Sequence, residues 1–558
     1  MEKDERVVVI GGGSTGTGIA RDLAMRGVPT TLIEMGDLAS GTTGRCHGLL
    51  HSGGRYVVGD PATARECVEE NRILRRIAPH CIEDTGGLFV AVTDKDLEYL
   101  PQFLAACRTT GLPAEEISVS QALAMEPCLS PQIQAVVRVP DASVDPFRLA
   151  MANAASAQEY GAEILRYTEV VGLVKEGDAV TGVRVQELAG GGERVIRSRF
   201  VVNAAGAWSG KIAEMAGISL GLVLSKGTLL IFNHRFVNTV INHCHPAGDG
   251  DIIVPAGTVA ILGTTSITVP EPDHDRYRIE DQEIPDLLEK GSAMVPFVRS
   301  ARVIRAFAGV RPLFEGSEHH EHNDREVSRN YAIIDHETAH GVKNFVTITG
   351  GKLTTYRRMA EAAVDLVCAR MGVAVACQTA GEPLPGAVVS GKRHYSRNHH
   401  DLHRRDSSDP VINRTMERLG SNAEQVMART SRRQEEDALI CECEFVLRAE
   451  IQDHLEKLEA AGSSQPPWVL LGDLRRRTRV GMGTCQGAYC AYRTAGIAHQ
   501  TSPFSALEAN RMLAEFLQER WKGTRPVLWG DQSREAALVA QIYAGVFNLD
   551  KEAGRHGV

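Results

Sequence analysis

A glycine-rich turn near the start of the chain constrains the fold more than any other feature. Val7–Ile10 is a continuous run rich in β-branched residues, typical of a strand buried on both faces. Gly11-x-Gly13-x-x-Gly16 follows, then a helical pattern and a second apolar run, Thr30–Ile33. Strand, glycine turn, helix and strand form a βαβ unit, which predicts a parallel sheet and an α/β fold.

The spacing of these glycines matches the dinucleotide-binding fingerprint. In that pattern the glycines allow a tight turn, close approach of the backbone to pyrophosphate, and close packing of helix on strand. The start of the helix then offers amide donors to the phosphates. Glu34, at the end of the second strand, can accept hydrogen bonds from ribose hydroxyls. We therefore expect a dinucleotide site; the alternative is a purely structural turn.

Two further junctions favour FAD over NAD. The stretch 201–208 is an apolar strand that ends in small residues, so the chain can pass close to a cofactor. The stretch 349–357 places two glycines between a strand and the start of a helix. Amide donors there can face the flavin O2 and stabilise the negative charge of the reduced ring. Either segment alone is more often structural, but three such junctions together predict a flavin.

Four cationic side chains lie near the segments expected to face the flavin. They are Arg55, Arg311, Arg329 and Lys352. Each by itself is typical of a solvated surface charge. The planar fork of arginine, however, matches phosphate or carboxylate, so the four together predict an anionic substrate.

The spacing of four cysteines near the C-terminus predicts a metal centre. Twelve cysteines in 558 residues are too few for a disulfide scaffold and indicate a reducing compartment. Four of them form two close pairs, Cys441-x-Cys443 and Cys485-x-x-x-x-Cys490. Neither pair has the spacing typical of zinc ribbons, and a redox flavoprotein needs a one-electron outlet, which favours a 2Fe–2S cluster. Zinc, and buried thiols without a metal, are the alternatives.

Composition excludes several classes of function. The formal charge of −9 argues against nucleic-acid binding, which needs a basic excess. No apolar run reaches the roughly 18 residues of a membrane span. The first six residues run directly into a strand and offer no signal peptide. We therefore expect a multidomain protein on the cytosolic side.

The pattern of helices and strands predicts a two-lobed flavoprotein region followed by a cysteine-bearing unit. Helical patterns recur at 62–77, 95–109 and 146–160, and strand patterns dominate 216–330. The expected boundaries are a flavoprotein region at 1–390 (FAD-binding parts about 1–95, 146–215 and 331–385; substrate lobe about 96–145 and 216–330), a polar linker at 391–435, a cluster domain at 436–495 and a helical tail at 496–558. The amphipathic tail suits a membrane contact or a helix that covers the core.

Six segments carry a resemblance that spans nearly the whole chain: Val9–Asp22, Leu49–Tyr56, Gly309–Leu313, Thr347–Tyr356, Leu474–Gln486 and Glu519–Gly523. There the chain resembles the FAD-dependent respiratory glycerol-3-phosphate dehydrogenases, in particular the A subunits of the anaerobic enzymes. The resemblance implies a Rossmann-type FAD-binding domain with a sheet-rich substrate domain, similar to D-amino-acid oxidase. The cysteine unit resembles the 2Fe–2S domain of bacterioferritin-associated ferredoxin, which the aerobic relatives lack.

The resemblance also implies an activity and partners. The family's catalytic subunit oxidises sn-glycerol 3-phosphate to dihydroxyacetone phosphate, with hydride passing to FAD. Electrons then pass through 2Fe–2S to a second flavoprotein, the B subunit, expected to hold FMN, and to a membrane-associated iron–sulfur protein, the C subunit, then to menaquinone. A peripheral position on the cytoplasmic face of the inner membrane follows from these partners.

The family's site residues transfer to matching positions of this chain. Arg55, Tyr56, Arg311, Arg329 and Lys352 match the substrate pocket, His234 matches a candidate base, and Arg311 is expected to stabilise the alkoxide. The expected cofactor contacts are Gly11, Gly13, Ser14, Thr15, Gly16, Glu34, Thr42, Thr43, Val170, Ala205, Gly206, Gly350, Gly351, Leu353 and Thr354.

Two rival functions remain open at the level of sequence. One is a related FAD-dependent dehydrogenase acting on a 2-hydroxy acid or an amino acid, since cationic pockets also suit carboxylates. The other is a non-catalytic protein that transfers electrons between a flavin and an iron–sulfur cluster. Bleaching of the flavin by members of a small substrate panel distinguishes all three.

Overall fold

Two large sheets and a C-terminal helical unit make up the fold. The computed structural model describes residues 6–270, 277–314, 330–387, 409–460, 465–502 and 504–549. Arg329, one of the expected substrate ligands, lies outside the described residues.

The first sheet is the predicted parallel sheet. Its strands, in spatial order, are Tyr331–Asp335, Phe345–Gly350, Phe200–Asn203, Val7–Ile10, Thr30–Ile33 and Glu163–Leu165. Neighbours are parallel except at the Tyr331–Asp335 edge, which runs antiparallel. Val7–Ile10 lies in the interior of the sheet, so its residues are covered on both faces.

Alternate residues of that strand enter two different cores. Val7 and Val9 pack among the helices on one face, which are Ser14–Met25, Pro146–Glu159 and Tyr356–Met371. Val8 and Ile10 pack against a three-stranded antiparallel sheet on the other face, built from Thr168–Glu176, Ala179–Glu187 and Glu193–Arg197. The continuous apolar run in the sequence therefore reflects burial on both sides, as predicted.

The second large sheet forms the substrate lobe. Its path is Ile267–Val269, Leu222–Phe232, Val259–Gly263, Ile252–Ala256, Val240–His243, Gly87–Ala91, Ala135–Val139 and Glu115–Ile117, with Val303–Phe314 paired to Leu222–Phe232. Helices Asp94–Thr110, Val119–Met125 and Glu283–Met294 belong to this lobe. The remaining elements are a small sheet of strands Leu49–Leu50, Ala142–Val144 and Ile82–Glu83, and the helices Pro61–Ile77, Ser209–Glu214 and His336–His340.

The C-terminal unit is mainly helical and has its own core. Its helices are Pro410–Leu419, Ala423–Thr430, Arg448–Ala460, Leu470–Thr478, Cys490–Thr501, Ala506–Thr524 and Asp531–Phe547, with one small hairpin, Leu439–Cys441 and Val446–Leu447. The predicted helical tail is confirmed, because Met512, Leu513, Phe516 and Leu517 pack in this core. The last helix keeps Leu538 exposed at 62%.

The segment 409–435 differs from the solvated linker expected there. It forms two helices, and Arg418 is buried among partners. The Arg418 guanidinium pairs with Glu450 at 2.6 Å and donates to the carbonyl oxygens of Glu444 and Phe445. The polar composition of this segment gives no local sign of the two helices. What buries Arg418 is its ion pair with Glu450, a residue distant in the sequence. The rest of the expected linker, 391–408, lies outside the described residues.

Buried ion pairs hold the C-terminal unit on the flavin-binding part. The Asp37 carboxylate, fully buried, pairs with Arg166 at 2.9 Å and with Arg476 and Arg477 at 2.7 Å each. Burial opposes this charge, but Arg477 and Arg476 hold the pKa of Asp37 well below its usual range.

Among the described helices, none is long and apolar enough to cross a membrane.

Candidate active site

A cavity of about 780 Å³ opens at the carboxyl ends of the parallel strands. Parallel α/β sheets bind nucleotides at this edge. Most of the predicted cofactor contacts line it: Gly11, Gly13, Ser14, Thr15, Glu34, Thr42, Thr43, Val170, Ala205, Gly206, Gly350, Gly351 and Leu353. The structure thus brings the three strand–glycine junctions of the sequence together in one place.

The glycine turn has no room for side chains. Gly11 has φ of +108°, and a Cβ there would lie 2.6 Å from the carbonyl oxygen of Ala204. A Cβ on Gly16 would overlap the carbonyl oxygen of Gly11. Gly16 therefore does not line the cavity but lets the helix Ser14–Met25 approach the strand closely, which aims the helix N-terminus at the cavity.

Glu34 lies at the same edge with both oxygens engaged by backbone amides. Gly12 donates to Glu34 Oε2 at 2.7 Å, and Gly36 donates to Oε1 at 2.8 Å. Burial raises the pKa of Glu34, while the two amides counteract that shift. The glycine cradle, the carboxylate and the cavity volume fit FAD, with pyrophosphate at the helix start and ribose near Glu34.

Cationic side chains surround the other part of the cavity. Arg55, Tyr56, Arg311 and Lys352 all line it. Arg55 pairs with Asp251 at 2.9 Å, and Lys352 Nζ lies 4.6 Å from the centre of the Tyr56 ring. These four residues come from three remote parts of the chain, so the predicted anion pocket is assembled by the tertiary structure.

Arg311 is positioned by the substrate-lobe sheet. It lies on Val303–Phe314, opposite Ser225 in the register with Leu222–Phe232. Its guanidinium donates to Ser225 Oγ at 3.1 Å and to the carbonyl oxygen of Thr265 at 3.3 Å, and also contacts Thr264 Oγ1. These contacts fix the position of the guanidinium at the cavity.

His234, the expected base, does not line this cavity. It is exposed, its Nδ1 lies 2.6 Å from Asn233 Oδ1, and its ring packs 5.3 Å from that of Phe297. The strand whose Ser225 contacts Arg311 ends at Phe232, about 23 Å from Ser225 at 3.3 Å per residue, and His234 lies beyond that end. The prediction for His234 is therefore wrong for this cavity.

Two histidines that were not among the predicted site residues do line it. His47 and His51 have ring centres 6.0 Å apart, and His51 lies 5.5 Å from the Tyr56 ring. Burial, then the charges of Arg55 and Arg311, lower the pKa of His47 to about 3. The His51 amide donates to Thr354 Oγ1 at 3.0 Å, so Thr354 supports the site without lining it. The signal in the sequence that could have identified His47 and His51 is their position in the polar segment 45–56.

The four C-terminal cysteines are brought together in the hydrophobic core of their unit. Cys485 lies close enough to Cys443 and Cys490 to interact with both thiols, and Cys490 interacts in the same way with Cys441. Nearby backbone amides, of Gly481 and Glu444 at Cys441 and of Gly487 and Tyr489 at Cys485, lower the pKa of these two thiols. All four thiols are free of disulfides.

The four thiols offer an all-sulfur donor set. Across the described residues, no group of three or more His, Cys, Asp or Glu side chains is placed to hold a single metal ion. The four cysteines form one series of neighbours, Cys443, Cys485, Cys490 and Cys441. Four thiols with amide groups nearby fit the ligand type of iron–sulfur centres.

Comparisons with known proteins agree with the geometry. Residues 6–357 match the family model described as FAD dependent oxidoreductase. The chain is similar to the A1 subunit of an anaerobic glycerol-3-phosphate dehydrogenase from Haloferax volcanii, at 45% identity over 99% of this chain and 92% of the relative. It is also similar to the A subunit of the anaerobic glycerol-3-phosphate dehydrogenase of Escherichia coli, at 42% identity over 98% and 97%.

Solved structures show the same fold. A glycerol-3-phosphate dehydrogenase from Bacillus halodurans complexed with FAD aligns with a TM-score of 0.65 at 23% identity, over 95% of this chain and 97% of that one. A glycine oxidase from Bacillus cereus aligns with a TM-score of 0.54 at 22% identity, over 66% and 96%. At these identities the likeness establishes the two-lobed flavoprotein fold.

Proposed function

The chain belongs to the FAD dependent oxidoreductases and, within them, to the family of anaerobic glycerol-3-phosphate dehydrogenase A subunits, and from this premise we propose that it oxidises sn-glycerol 3-phosphate to dihydroxyacetone phosphate. One observation carries the proposal: a glycine cradle for FAD and an anion pocket of Arg311 and Lys352 line a single cavity. A phosphorylated alcohol bound by those cations lies next to the expected position of the flavin ring.

The cationic side chains orient the substrate. Arg55 pairs with Asp251 at 2.9 Å, and we assign Arg311 and Lys352, which line the same cavity, to the phosphate and to the developing alkoxide. Binding energy from the remote phosphate then positions the reacting carbon. The chemistry that bound FAD supplies is acceptance of a hydride from carbon 2 of the substrate.

His51 is the residue we assign as base. Loss of hydride from carbon 2 makes the attached hydroxyl strongly acidic, and a base must take its proton. His47 is a poor acceptor at neutral pH because burial holds its pKa at about 3. His51 lines the same cavity beside Tyr56, so it can take the proton while a cation stabilises the oxygen.

We extend the proposal to electron exit through a 2Fe–2S cluster held by Cys441, Cys443, Cys485 and Cys490. Four thiolates can hold such a cluster, and a flavin that takes up two electrons from the substrate needs a one-electron outlet, which favours 2Fe–2S over zinc. A partner B subunit with FMN, and a partner C subunit with iron–sulfur centres, would then pass electrons to menaquinone at the cytoplasmic face of the membrane. Co-purification with these partners and quinone reduction by the complex test this extension.

An anaerobic visible spectrum of the purified chain tests the core of the proposal. We expect flavin and iron–sulfur absorption, and bleaching of the flavin when glycerol 3-phosphate is added but not when lactate or an amino acid is added. Arg311→Ala should keep the yellow flavin and lose most of the bleaching rate. Bleaching by a hydroxy acid instead would favour the rival dehydrogenase, and a flavin reduced by no substrate would favour an electron-transfer protein.

A further inference from the structure

A second cavity, of about 470 Å³, lies where the flavin-binding part, the substrate lobe and the C-terminal unit meet. Phe147 comes from the first of these, Ala306 from the second, and Met482 and Gln486 from the third. The volume falls within the range of small-molecule sites. Nothing in the proposed dehydrogenase reaction uses this cavity.

Three arginines from separate elements converge on it. Arg305 lies on the strand Val303–Phe314, Arg475 on the helix Leu470–Thr478 and Arg520 on the helix Ala506–Thr524. Among the described residues, none of the three forms an ion pair with a carboxylate. Glu519 is an acidic residue that faces them, and its carboxylate contacts Lys522 instead.

The hydrogen bonds of these arginines leave their charge uncompensated. Arg305 donates to the carbonyl oxygens of Arg520, at 3.0 Å, and Glu519, at 3.3 Å. Arg475 lies 5.6 Å from the centre of the Phe147 ring. Arg520 is only 7% exposed, and its Nε is buried with no hydrogen-bond partner. A buried donor without a partner is costly, which points to a missing acceptor.

The arginines next to Arg475 in the chain have the carboxylate partners that Arg475 lacks. Arg476 and Arg477 pair with Asp37 at 2.7 Å, and Arg479 pairs with Glu444 at 2.8 Å. Three of the four arginines in 475–479 therefore have carboxylate partners among the described residues. Arg475 is the one that faces the cavity without any.

Electrostatics in the cavity supports the same conclusion. Burial, then the charges of Arg476 and Arg305, lower the pKa of Arg475 to about 9. Burial lowers the pKa of Arg305 to about 10; the charge of Glu519 opposes this shift, and the charge of Arg45 adds to it. Like charges held together away from water are destabilised, and an anion placed between them would relieve the repulsion.

We propose that this cavity is a binding site for a small polyanion that carries two or more phosphate or carboxylate groups. Three guanidinium groups require about that much negative charge, and their forks match both kinds of oxyanion. Arg45, Cys46 and His47 form a wall shared with the flavin cavity, so the bound anion lies one layer of polypeptide away from the expected flavin. This site is independent of the substrate proposed for the flavin cavity.

Calorimetric titration of the purified holoprotein tests the site, with pyrophosphate and citrate as separate probes. We expect at least one of them to bind, and its affinity to fall at least tenfold in Arg475→Met and in Arg520→Met. Arg525→Met is the matched control, because Arg525 follows the same helix as Arg520, is exposed and does not line the cavity. Arg475→Lys keeps the charge and should lose less affinity than Arg475→Met.

A variant in the flavin cavity provides a further control. Binding should persist in Arg311→Ala, which alters the flavin cavity alone. Absence of binding to the wild type, equal affinity in all variants, or binding lost only in Arg311→Ala would each overturn the inference. If the melting temperature shows that one of the two methionine variants does not fold, the affinities of the other methionine variant and of Arg475→Lys still test the inference. The preferred probe tells phosphate from carboxylate recognition.

Discussion

At the scale of single residues, the two histidines of the flavin cavity differ in what they can do with a proton. His47 is half-buried near the guanidinium groups of Arg55 and Arg311 and stays uncharged at neutral pH, since its pKa is about 3. His51 shares the cavity with the cations and the Tyr56 ring. A base of very low pKa contributes little near pH 7, so the assignment falls on His51.

We predict that His51→Asn slows reduction of the flavin by glycerol 3-phosphate about 10²- to 10⁴-fold, the usual range for loss of a general base. Anaerobic stopped-flow absorbance measures this rate. His234→Asn is the matched control and should react at the wild-type rate, because His234 lies outside the cavity. A large loss in His234→Asn with normal activity in His51→Asn would contradict the assignment.

At the scale of elements, the turn Gly11–Gly16 determines whether the first helix can approach its strand. We predict that Gly16→Ala abolishes retention of FAD, because the added Cβ would meet the backbone of Gly11. The ratio of flavin to protein absorbance after purification measures the loss. Gly59→Ala is the control, since a Cβ at Gly59 meets nothing within 4 Å. Normal flavin content in Gly16→Ala would show that this turn is not needed to hold the cofactor.

A second element, the helix Pro146–Glu159, joins the flavin-binding part to the C-terminal unit through its N-cap. Asp145 accepts from the amides of Phe147 and Arg148 at 3.1 Å, and pairs with Arg479 at 3.1 Å. Burial opposes the charge of Asp145, but Arg148 and Arg479 lower its pKa to about 2. Its stabilising effect is therefore complete above the unfolded pKa of about 3.9 and is lost as pH falls towards 2.

We predict that this carboxylate loses about 1 kcal/mol of its contribution to stability between pH 5 and pH 3. Asp145→Asn keeps the N-cap but not the charge, so it should melt below the wild type at pH 5. The difference in melting temperature should narrow at pH 3, as measured by circular dichroism. A gap that stays constant with pH would show that Asp145 is not charged in the folded protein.

At the scale of the whole molecule, the flavin cavity and the cysteine loop both border the second cavity. Arg45, Cys46 and His47 line both cavities, and Met482 and Gln486, close to Cys485 in the chain, line the second. The second cavity therefore lies between the expected flavin and the cysteine loop in terms of shared lining residues. This neighbourhood suits electron transfer between the proposed flavin and cluster.

We predict that Cys485→Ser keeps bleaching of the flavin by substrate but loses most quinone reduction in the assembled complex. Loss of one thiolate should prevent binding of the proposed cluster, which iron analysis and electron paramagnetic resonance report. Cys128→Ser is the control, because Cys128 packs in the substrate lobe and not with the four C-terminal cysteines. Quinone reduction at the native rate in Cys485→Ser would refute the relay.

Local patterns in the sequence were sufficient to predict the parallel sheet, the glycine turn expected to hold FAD, and the helical tail. The Gly11–Gly16 turn, the buried strand Val7–Ile10 and the helix Ala506–Thr524 depend on spacings within a few residues, and these spacings report backbone conformation and burial directly. The cysteine pairs were recognisable for the same reason.

Only the tertiary structure decided which charged groups and bases share a site. Arg311 meets Ser225 and Arg55 meets Asp251 across long stretches of chain, and the same folding that brings His51 to the cavity leaves His234 exposed. Burial, ion pairing and repulsion depend on these distant neighbours, which no local spacing encodes. For this reason the roles of Arg418 and Arg475, both in polar stretches of sequence, became visible only in three dimensions.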